Sequence, residues 1–342
     1  MVRPVDNPPN PWSSTHVEWL EAPPAATLSV YEEEARSVLS ENDSPDLPFR
    51  FSVNPYRGCL HACAYCYARP SHQYLGFGAG SDFDRKIVVK KNAPDVLRRE
   101  LERPSWAGDT IMFSGNTDCY QPLEASYTLT RRCLEVCLEF RNPVSLVTKS
   151  ALVRRDVELL AALATRARAT VNLSVAFARD EVARKIEPYA SRPSNRFEVM
   201  RRLADAGVPT GVLVAPIIPG LNDSDVPELL ERARDAGASW AGMTLLRLPA
   251  EVLPVFDARL EEAFPERAQK VRNAVMEVRG GKMNESAFGA RFEGRGPRWI
   301  AIERMFEVHA RRLGLTTGER LAVAAGATTF RRPSAQQELF DR

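Results

Sequence analysis

The sequence predicts an α/β protein built on a partial (β/α)6 barrel, for two reasons. From residue 51 to about 247, short β-branched runs alternate with longer runs of helical period, the pattern of βα units that share a parallel sheet. The composition, 44% hydrophobic and 26% charged, is typical of a globular protein and excludes fibrous or fully disordered chains. In such a fold, functional side chains are expected at the C-terminal ends of the strands.

Each predicted element rests on its own local signal. The predicted strands are 51–54, 110–113, 144–148, 170–176, 211–217 and 241–246, and the helices between them include 128–140, 154–165, 195–206 and 226–236. Gly207 and Gly237 stand where helices should end, because glycine adopts the left-handed conformation of a C-cap without strain. Ser194 is a predicted N-cap, since its hydroxyl can accept a hydrogen bond from a free backbone amide.

The flanks of this core differ in composition. Eight of the 25 prolines fall within residues 1–50, which predicts an extended arm with one short helix near 31–39. Helical periods return at 253–264, 266–278 and 299–313, so we expect a core at 51–250 and a C-terminal helical extension at 251–326. The final segment, 327–342, is polar and is expected to be a mobile tail.

Charge and hydropathy limit the partners and the location. Lys and Arg number 46 against 44 Asp and Glu, a net charge of +2, so no strong overall attraction to nucleic acid or membranes is expected. No apolar run approaches the ~20 residues that span a bilayer. Residues 1–11 lack the apolar segment of a signal peptide, so we expect a cytoplasmic protein without a membrane partner.

Three of the six cysteines, Cys59, Cys63 and Cys66, are spaced C-x3-C-x2-C. Three thiolates on one loop can bind three irons of a cubane cluster and leave the fourth open for chemistry. A zinc site with His61 as fourth ligand is an alternative, although structural zinc usually has two pairs of ligands. Three purely structural thiols are a further alternative.

The motif resembles that of the radical S-adenosylmethionine (radical SAM) enzymes, and most closely their spore photoproduct lyase-like branch. The similarity is carried by Tyr65 and Tyr67 on either side of Cys66 and by the segments 146–149, 172–175, 185–188 and 211–223. Segment 116–122 is similar to an uncharacterised bacterial subgroup, although proline is expected where Cys119 stands. The resemblance implies a TIM-like barrel of the radical SAM type and a [4Fe–4S] cluster on Cys59, Cys63 and Cys66. It also implies SAM on the open iron, cleaved reductively to a 5′-deoxyadenosyl radical.

The resemblance also suggests residues that contact SAM. It places the amino group of SAM at Ser114, Gly115, Asn116 and Thr117, the carboxylate at Lys149, a ribose hydroxyl at Ser174, and the adenine near Tyr65 and Pro216. Each position has an ordinary structural alternative. The first four residues could form a simple βα turn, Lys149 could reach the surface, and Ser174 and Tyr65 could be buried for packing.

Two residues are candidates for catalytic roles, Tyr67 from the same resemblance and Cys119 from its place near the turn after strand 110–113. Tyr67 is expected to relay a hydrogen atom, with ordinary packing as its alternative. Cys119 is a candidate hydrogen-atom donor, although Asn116 falls closer to the donor position of the lyase. Cys133 and Cys137, four residues apart on a predicted helix, could join Cys119 at a second cluster or be buried as small hydrophobic residues.

The function expected from the resemblance is a lyase-like or repair-like radical SAM reaction on DNA or nucleobase lesions, with flavodoxin or ferredoxin as reductant. The alternatives are radical modification of a peptide, protein or metabolite, and an iron–sulfur electron carrier or nucleic-acid-binding module. The basic stretch 279–298 carries interleaved aromatic residues that would suit single-stranded nucleic acid. The same stretch could instead be a glycine-rich loop packed over the barrel mouth.

The tail contains Gln336, Leu339 and Phe340, which resemble the Q-x-x-L-F peptide that bacterial DNA enzymes insert into the sliding clamp. Leu339 and Phe340 could instead pack on the protein's own domain.

If the tail binds the clamp, a peptide covering 333–342 should bind at roughly micromolar Kd, about −8 kcal/mol. The same peptide with both apolar residues changed to Ala is the control, and fluorescence anisotropy is the measurement. Absence of binding at tenfold higher concentration, about 10 μM, would contradict this prediction.

Overall fold

The computed structural model describes residues 27–318 and 327–333. The strands in these ranges are β1 Ser29–Glu33, β2 Leu39–Glu41, β3 Phe51–Val53, β4 Tyr56–Arg57, β5 Lys86–Lys90, β6 Ile111–Phe113, β7 Val144–Thr148, β8 Ala169–Ser174, β9 Thr210–Ile217 and β10 Trp240–Leu245. The helices are α1 Ser81–Arg85, α2 Ala93–Glu102, α3 Glu124–Tyr127, α4 Leu129–Glu139, α5 Val157–Arg166, α6 Asp180–Ile186, α7 Pro193–Asp205, α8 Val226–Asp235, α9 Val252–Ala263, α10 Pro265–Val278 and α11 Gly296–Arg312. Short 3₁₀ helices occupy Arg69–Leu75, Ala151–Asp156 and Asp223–Asp225.

The main sheet has seven strands in the order β10-β9-β8-β7-β6-β3-β2. The six strands from β3 to β10 are parallel, and β2 pairs antiparallel with β3 at one edge. This arrangement confirms the partial barrel of six βα units, and no closed barrel forms among the described residues. The edge strand β2 is an addition that the sequence pattern did not predict.

A second, smaller sheet frames the cysteine motif. Strand β5 pairs parallel with β1 and antiparallel with β4, and residues 58–85, between β4 and β5, carry all three clustered cysteines. Gly58 opens this segment with φ +79°, and a Cβ there would approach Phe83 O to 2.9 Å. Only glycine accommodates that conformation and that contact.

Two hydrophobic clusters determine where the site lies. The larger one joins strands of the main sheet to helices such as α4 and α5, and it includes the fully buried Leu146, Val171 and Val212. The second packs Tyr65 against residues of α9 and α10, including Phe256 and Val271. The cysteine segment is therefore pressed against the main domain by apolar contacts that water cannot replace.

Two local expectations were wrong. No helix forms near 31–39, because Tyr31 pairs in register with Val88 of β5, and this long-range pairing overrides the local pattern. Ser194 is not an N-cap, since α7 begins one residue earlier at Pro193, a position that favours proline. The expected left-handed glycines are confirmed, with φ of +77° at Gly207 and +89° at Gly237.

The start of the segment expected to be a mobile tail is packed on the domain. Phe330 stacks on Phe140 with ring centroids 6.2 Å apart, and the Arg331 amide donates to Phe140 O at 2.8 Å. Thr329 Oγ1 lies 2.9 Å from two carbonyl oxygens, those of Arg141 and Ala167.

Gln336, Leu339 and Phe340 of the proposed clamp peptide lie outside the described residues. Within the described ranges, none of the helices is both long and apolar enough to span a bilayer.

We predict that Phe330→Ala lowers the free energy of unfolding by about 1–2 kcal/mol, because it removes a half-buried ring and leaves the buried Phe140 ring without its stacking partner. Differential scanning calorimetry should show a fall in Tm of a few degrees. Phe288→Ala is the matched control, since that ring is 62% exposed and should leave Tm unchanged. Equal Tm values for the two variants would contradict a packed segment at 327–333.

Candidate active site

The three cysteines of the motif lie in a mostly enclosed position. Cys59 and Cys63 are 6% and 7% exposed, and Cys66 is partly exposed. Burial raises the pKa of all three thiols, so without a cation they would hold their protons. An iron cluster reverses this preference because its positive charge stabilises thiolates. A buried set of three sulfur donors on one loop therefore fits a cluster of the [4Fe–4S] type.

Arg69 holds the cysteine loop from beneath. It is 1% exposed and donates to the carbonyl oxygens of Cys63, Ala79 and Gly80 at 2.9–3.3 Å. Its charge is balanced by Asp84 at 2.9 Å. The supporting role of Arg69 was not predicted from the sequence, where only its position three residues after Cys66 could have indicated it.

Segment 116–122 supports the loop from the opposite side. Gln121 accepts from the Leu60 amide and donates to Gly58 O, both at 3.0 Å. The buried Thr117 hydroxyl donates to Tyr56 O at 2.7 Å. Thr117 is thus committed to positioning the start of the loop, and Gln121 is a supporting residue whose role the sequence did not predict.

Ser114, Gly115 and Asn116 form a tight turn at the end of β6. The Ser114 hydroxyl accepts from the Cys119 amide at 2.9 Å, and the Asn116 side-chain amide donates to Ser71 Oγ at 3.1 Å. Gly115 leaves room for Ser52, whose Cβ would lie 2.8 Å from an added Cβ. The Tyr67 hydroxyl donates to the Gly115 carbonyl at 3.1 Å while the side chain stays exposed, so Tyr67 borders the solvent side of this turn.

Asp118 links the cysteine loop to the end of β7. It accepts from the Thr148 hydroxyl at 2.7 Å and the Lys149 amide at 2.8 Å, and it lies 3.4 Å from His61 Nδ1. Burial opposes ionisation, but His61 and these donors outweigh it and lower the pKa of Asp118 to about 2. His61, the alternative zinc ligand, therefore has one ring nitrogen directed at a carboxylate. Within the described ranges, no three His, Cys, Asp or Glu side chains are grouped to hold a single metal ion.

The predicted SAM contacts on the other half of the site lie together. Lys149 Nζ donates to Ser174 Oγ at 2.6 Å, and that hydroxyl donates to the Ala215 carbonyl at 3.1 Å. Pro216 follows Ala215 through a cis peptide bond. The Lys149 ammonium also lies 5.6 Å from the centroid of the Tyr65 ring. Side chains from the ends of β7, β8 and β9 and from the cysteine loop therefore converge.

A buried ion pair supports this half from behind. Glu187 accepts from the Tyr65 hydroxyl and pairs with Arg196, and Arg196 also donates to the Ser174 carbonyl at 2.8 Å. Burial would raise the pKa of Glu187, but Arg196 and Lys149 hold it below its ordinary value. Neither supporting role was predictable from the sequence, because Glu187 lies in segment 185–188 without a local signal and Arg196 lies on a helix face.

The remaining cysteines lie in the main core. Cys119, Cys133 and Cys137 are each 0% exposed among apolar side chains, which agrees with their reading as small hydrophobic residues. Cys119 lies on the buried side of the turn after β6. Its amide donates to the Ser114 hydroxyl, and its carbonyl accepts from the Thr130 hydroxyl. This packing gives no support to Cys119 as a hydrogen-atom donor or to a second cluster.

Tyr65 and Tyr67 connect the two halves of the site. Tyr65 faces the group of Lys149 and Ser174, and Tyr67 faces the turn at Gly115. Cys66 lies between them in the chain. The three thiols therefore lie between the Lys149 and Ser174 side chains on one side and the exposed Tyr67 ring on the other.

The chain is similar to known proteins in both sequence and fold. The family described as "Radical SAM superfamily" matches residues 53–233. An uncharacterised protein of Mycobacterium tuberculosis is 37% identical over 259 residues, covering 75% of this chain and 76% of that protein. The "Radical SAM Nalpha-GlyT isomerase" of Pseudomonas phage M6 is 23% identical over 309 residues, covering 88% and 60%. The structure "Spore photoproduct lyase complexed with dinucleoside spore photoproduct" superimposes with a TM-score of 0.58 at 17% identity, covering 84% and 81%, a similarity of fold.

We predict that Cys59→Ala, Cys63→Ala and Cys66→Ala each abolish the visible absorption of protein reconstituted with iron and sulfide under anaerobic conditions, because a cubane lacking a thiolate ligand is labile. Cys133→Ala is the matched control, as it removes a buried thiol outside the loop and should keep the absorption. Iron analysis gives the second readout. Full iron content in any of the three loop variants would contradict the ligand assignment.

Proposed function

This chain belongs to the radical SAM superfamily of enzymes, and on that basis we propose that it acts on a nucleobase of DNA in a lyase-like or repair-like reaction. Enzymes of the family use a [4Fe–4S] cluster and SAM. When bound and reduced, the cluster supplies the electron that cleaves SAM to a 5′-deoxyadenosyl radical. An electron donor is required, for which we expect flavodoxin or ferredoxin.

The observation that carries the SAM site is the position of Lys149. No carboxylate lies within ion-pair distance of its ammonium among the described residues, and a hydroxyl and a carbonyl hold it beside the cysteine loop. A partly buried cation without a directly paired carboxylate favours an anionic ligand. We assign Lys149 to the carboxylate of SAM and Ser174 to a ribose hydroxyl, with Tyr65 and Pro216 beside the adenine.

Residues of the other half are proposed to define the space between cofactor and substrate. The turn 114–116 presents backbone groups at the end of β6, where the amino group of SAM is expected. Tyr67 is exposed beside this turn, and we propose that its hydroxyl relays a hydrogen atom. Thr117 acts indirectly, by fixing the loop through Tyr56.

One structural neighbour supports a nucleic acid substrate, since it is a lyase complexed with a dinucleoside spore photoproduct. The phage relative, a radical SAM Nalpha-GlyT isomerase, aligns with 88% of this chain and supports catalysis of the radical SAM type. Related folds host different reactions, so this substrate class requires its own experiment.

We predict that Lys149→Met weakens SAM binding about tenfold or more, since it removes a charge-assisted contact of roughly 1.5–3 kcal/mol. Ser174→Ala should have a smaller effect. Lys185→Met is the matched control, because Lys185 is an exposed lysine that bonds to Ala263 O. Isothermal titration of the reconstituted protein measures the affinity, and 5′-deoxyadenosine released with dithionite measures cleavage. Unchanged affinity in both site variants would contradict the assigned pocket.

The same assay tests the substrate class. Ultraviolet-irradiated DNA should alter 5′-deoxyadenosine formation and itself be changed, whereas undamaged DNA and a mixed peptide pool should not. Product analysis by mass spectrometry follows the DNA. SAM cleavage without any effect of DNA would leave the superfamily chemistry in place and overturn the proposed substrate.

A further inference from the structure

The basic stretch 279–298 divides into residues with different roles. Arg279 is 4% exposed and donates to the carbonyls of Leu246, Ala290, Arg291 and Glu293. Arg295 and Arg298 pair with Glu285 and Glu277. Arg279 therefore shapes the loop, and the last two arginines have carboxylate partners. The Arg291 side chain is 13% exposed and lies close to the rings of Phe288 and Phe292.

These groups form a ladder of alternating rings and guanidiniums, which we call the aromatic–arginine ladder: Phe288, Arg291, Phe292 and Arg247. Arg291 lies 4.8 Å from the Phe288 ring centroid and 5.0 Å from that of Phe292. Arg247 lies 5.1 Å from the Phe292 centroid. Phe288 is 62% exposed, so the ladder runs from a half-buried arginine to an open ring.

The inner end of the ladder lies at the candidate active site. Arg247 follows β10, and the Leu245 amide donates to Phe292 O at 3.0 Å, which fixes the ladder to the C-terminal end of the barrel. Functional side chains of such a fold gather at this end of the sheet, where Lys149 follows β7 and Ser174 ends β8. The ladder thus leads from the C-terminal end of the barrel outward to solvent.

The two arginines of the ladder differ in charge balance. Arg291 Nε lies 2.5 Å from Asp46 Oδ2, so its charge is neutralised within the protein. Arg247 has no carboxylate within ion-pair distance in the described part of the chain, and its Nε is buried without a hydrogen-bond partner. Burial and the neighbouring Arg291 lower the pKa of Arg247. A half-buried guanidinium in this state is stabilised by an incoming anion.

We propose that the aromatic–arginine ladder binds a single-stranded or flipped-out segment of DNA, with Arg247 pairing to a phosphate next to the reacting nucleotide and Phe288 stacking on a base. The guanidinium matches a phosphate in two parallel hydrogen bonds. Exposed rings accept bases of any sequence by stacking. This inference rests on the proposed action on DNA, and it assigns the surface on which the DNA strand binds.

Fluorescence anisotropy of a labelled oligothymidylate with the anaerobically reconstituted full chain tests the ladder without requiring turnover. Arg247→Gln should weaken binding about tenfold and reduce the slope of log Kd against log salt by about 0.7, the value for one phosphate contact on a single strand. Arg295→Gln is the matched control, since that side chain is 66% exposed and paired with Glu285. It should change the affinity less than about threefold.

Two further measurements separate the possible outcomes. Phe288→Ala should weaken oligothymidylate binding at least about fivefold without a change in Tm, so loss of folding cannot account for it. Affinity for SAM should be unchanged in Arg247→Gln. Loss of SAM affinity instead of DNA affinity would assign the anion at Arg247 to the cofactor carboxylate and overturn the proposal. Equal losses in the Arg247 and Arg295 variants, or no binding by the wild type, would also overturn it. SAM cleavage remains a separate test of the superfamily chemistry.

Discussion

The structure depends on how an irregular loop that bears three thiols is held in one conformation. The segment from Gly58 to Arg69 has little regular secondary structure, so its backbone groups must find partners elsewhere. Arg69 binds carbonyls from beneath, Gln121 holds the first turn, and the Ala64 amide donates to Ile186 O at 3.0 Å. Arg69 ends the segment itself, and the other two contacts come from distant parts of the chain. The thiols keep their relative positions because the whole domain determines the loop.

Burial of charge has two different consequences at this site. Glu187 and Arg196 neutralise each other and have further hydrogen bonds, so they form a rigid support for Tyr65 and Ser174. Lys149 and Arg247 lack such carboxylate partners among the described residues. A partly buried cation without a direct carboxylate partner gains stability when an anion binds. The site thus combines fixed, paired charges that maintain its shape with unpaired charges that are available to ligands.

The two aromatic residues beside Cys66 show how neighbouring positions take separate roles. Tyr65 is buried and hydrogen-bonded to Glu187, whereas Tyr67 is exposed and bonded to the Gly115 carbonyl. Tyr65 and Tyr67, two positions apart with Cys66 between them, therefore face opposite halves of the site. A buried hydroxyl with a satisfied partner adds rigidity. An exposed hydroxyl beside an open surface can meet a substrate.

Local sequence patterns were sufficient to predict the parallel strands, the helices between them and the thiol motif, because periodicity, capping glycines and ligand spacing are properties of short segments. Lys149 and Ser174 were also predictable, since polar residues at the ends of apolar strands meet at one edge of a parallel sheet. The supporting residues were not. Tyr65 and Glu187 are 122 positions apart, and Leu60 and Gln121 are 61 apart. The sequence by itself determined which segments carry chemistry. The tertiary structure alone decided that Arg69, Gln121 and Arg196 hold the site and that Arg247 is left unpaired beside it, because such partners are chosen by packing between distant segments.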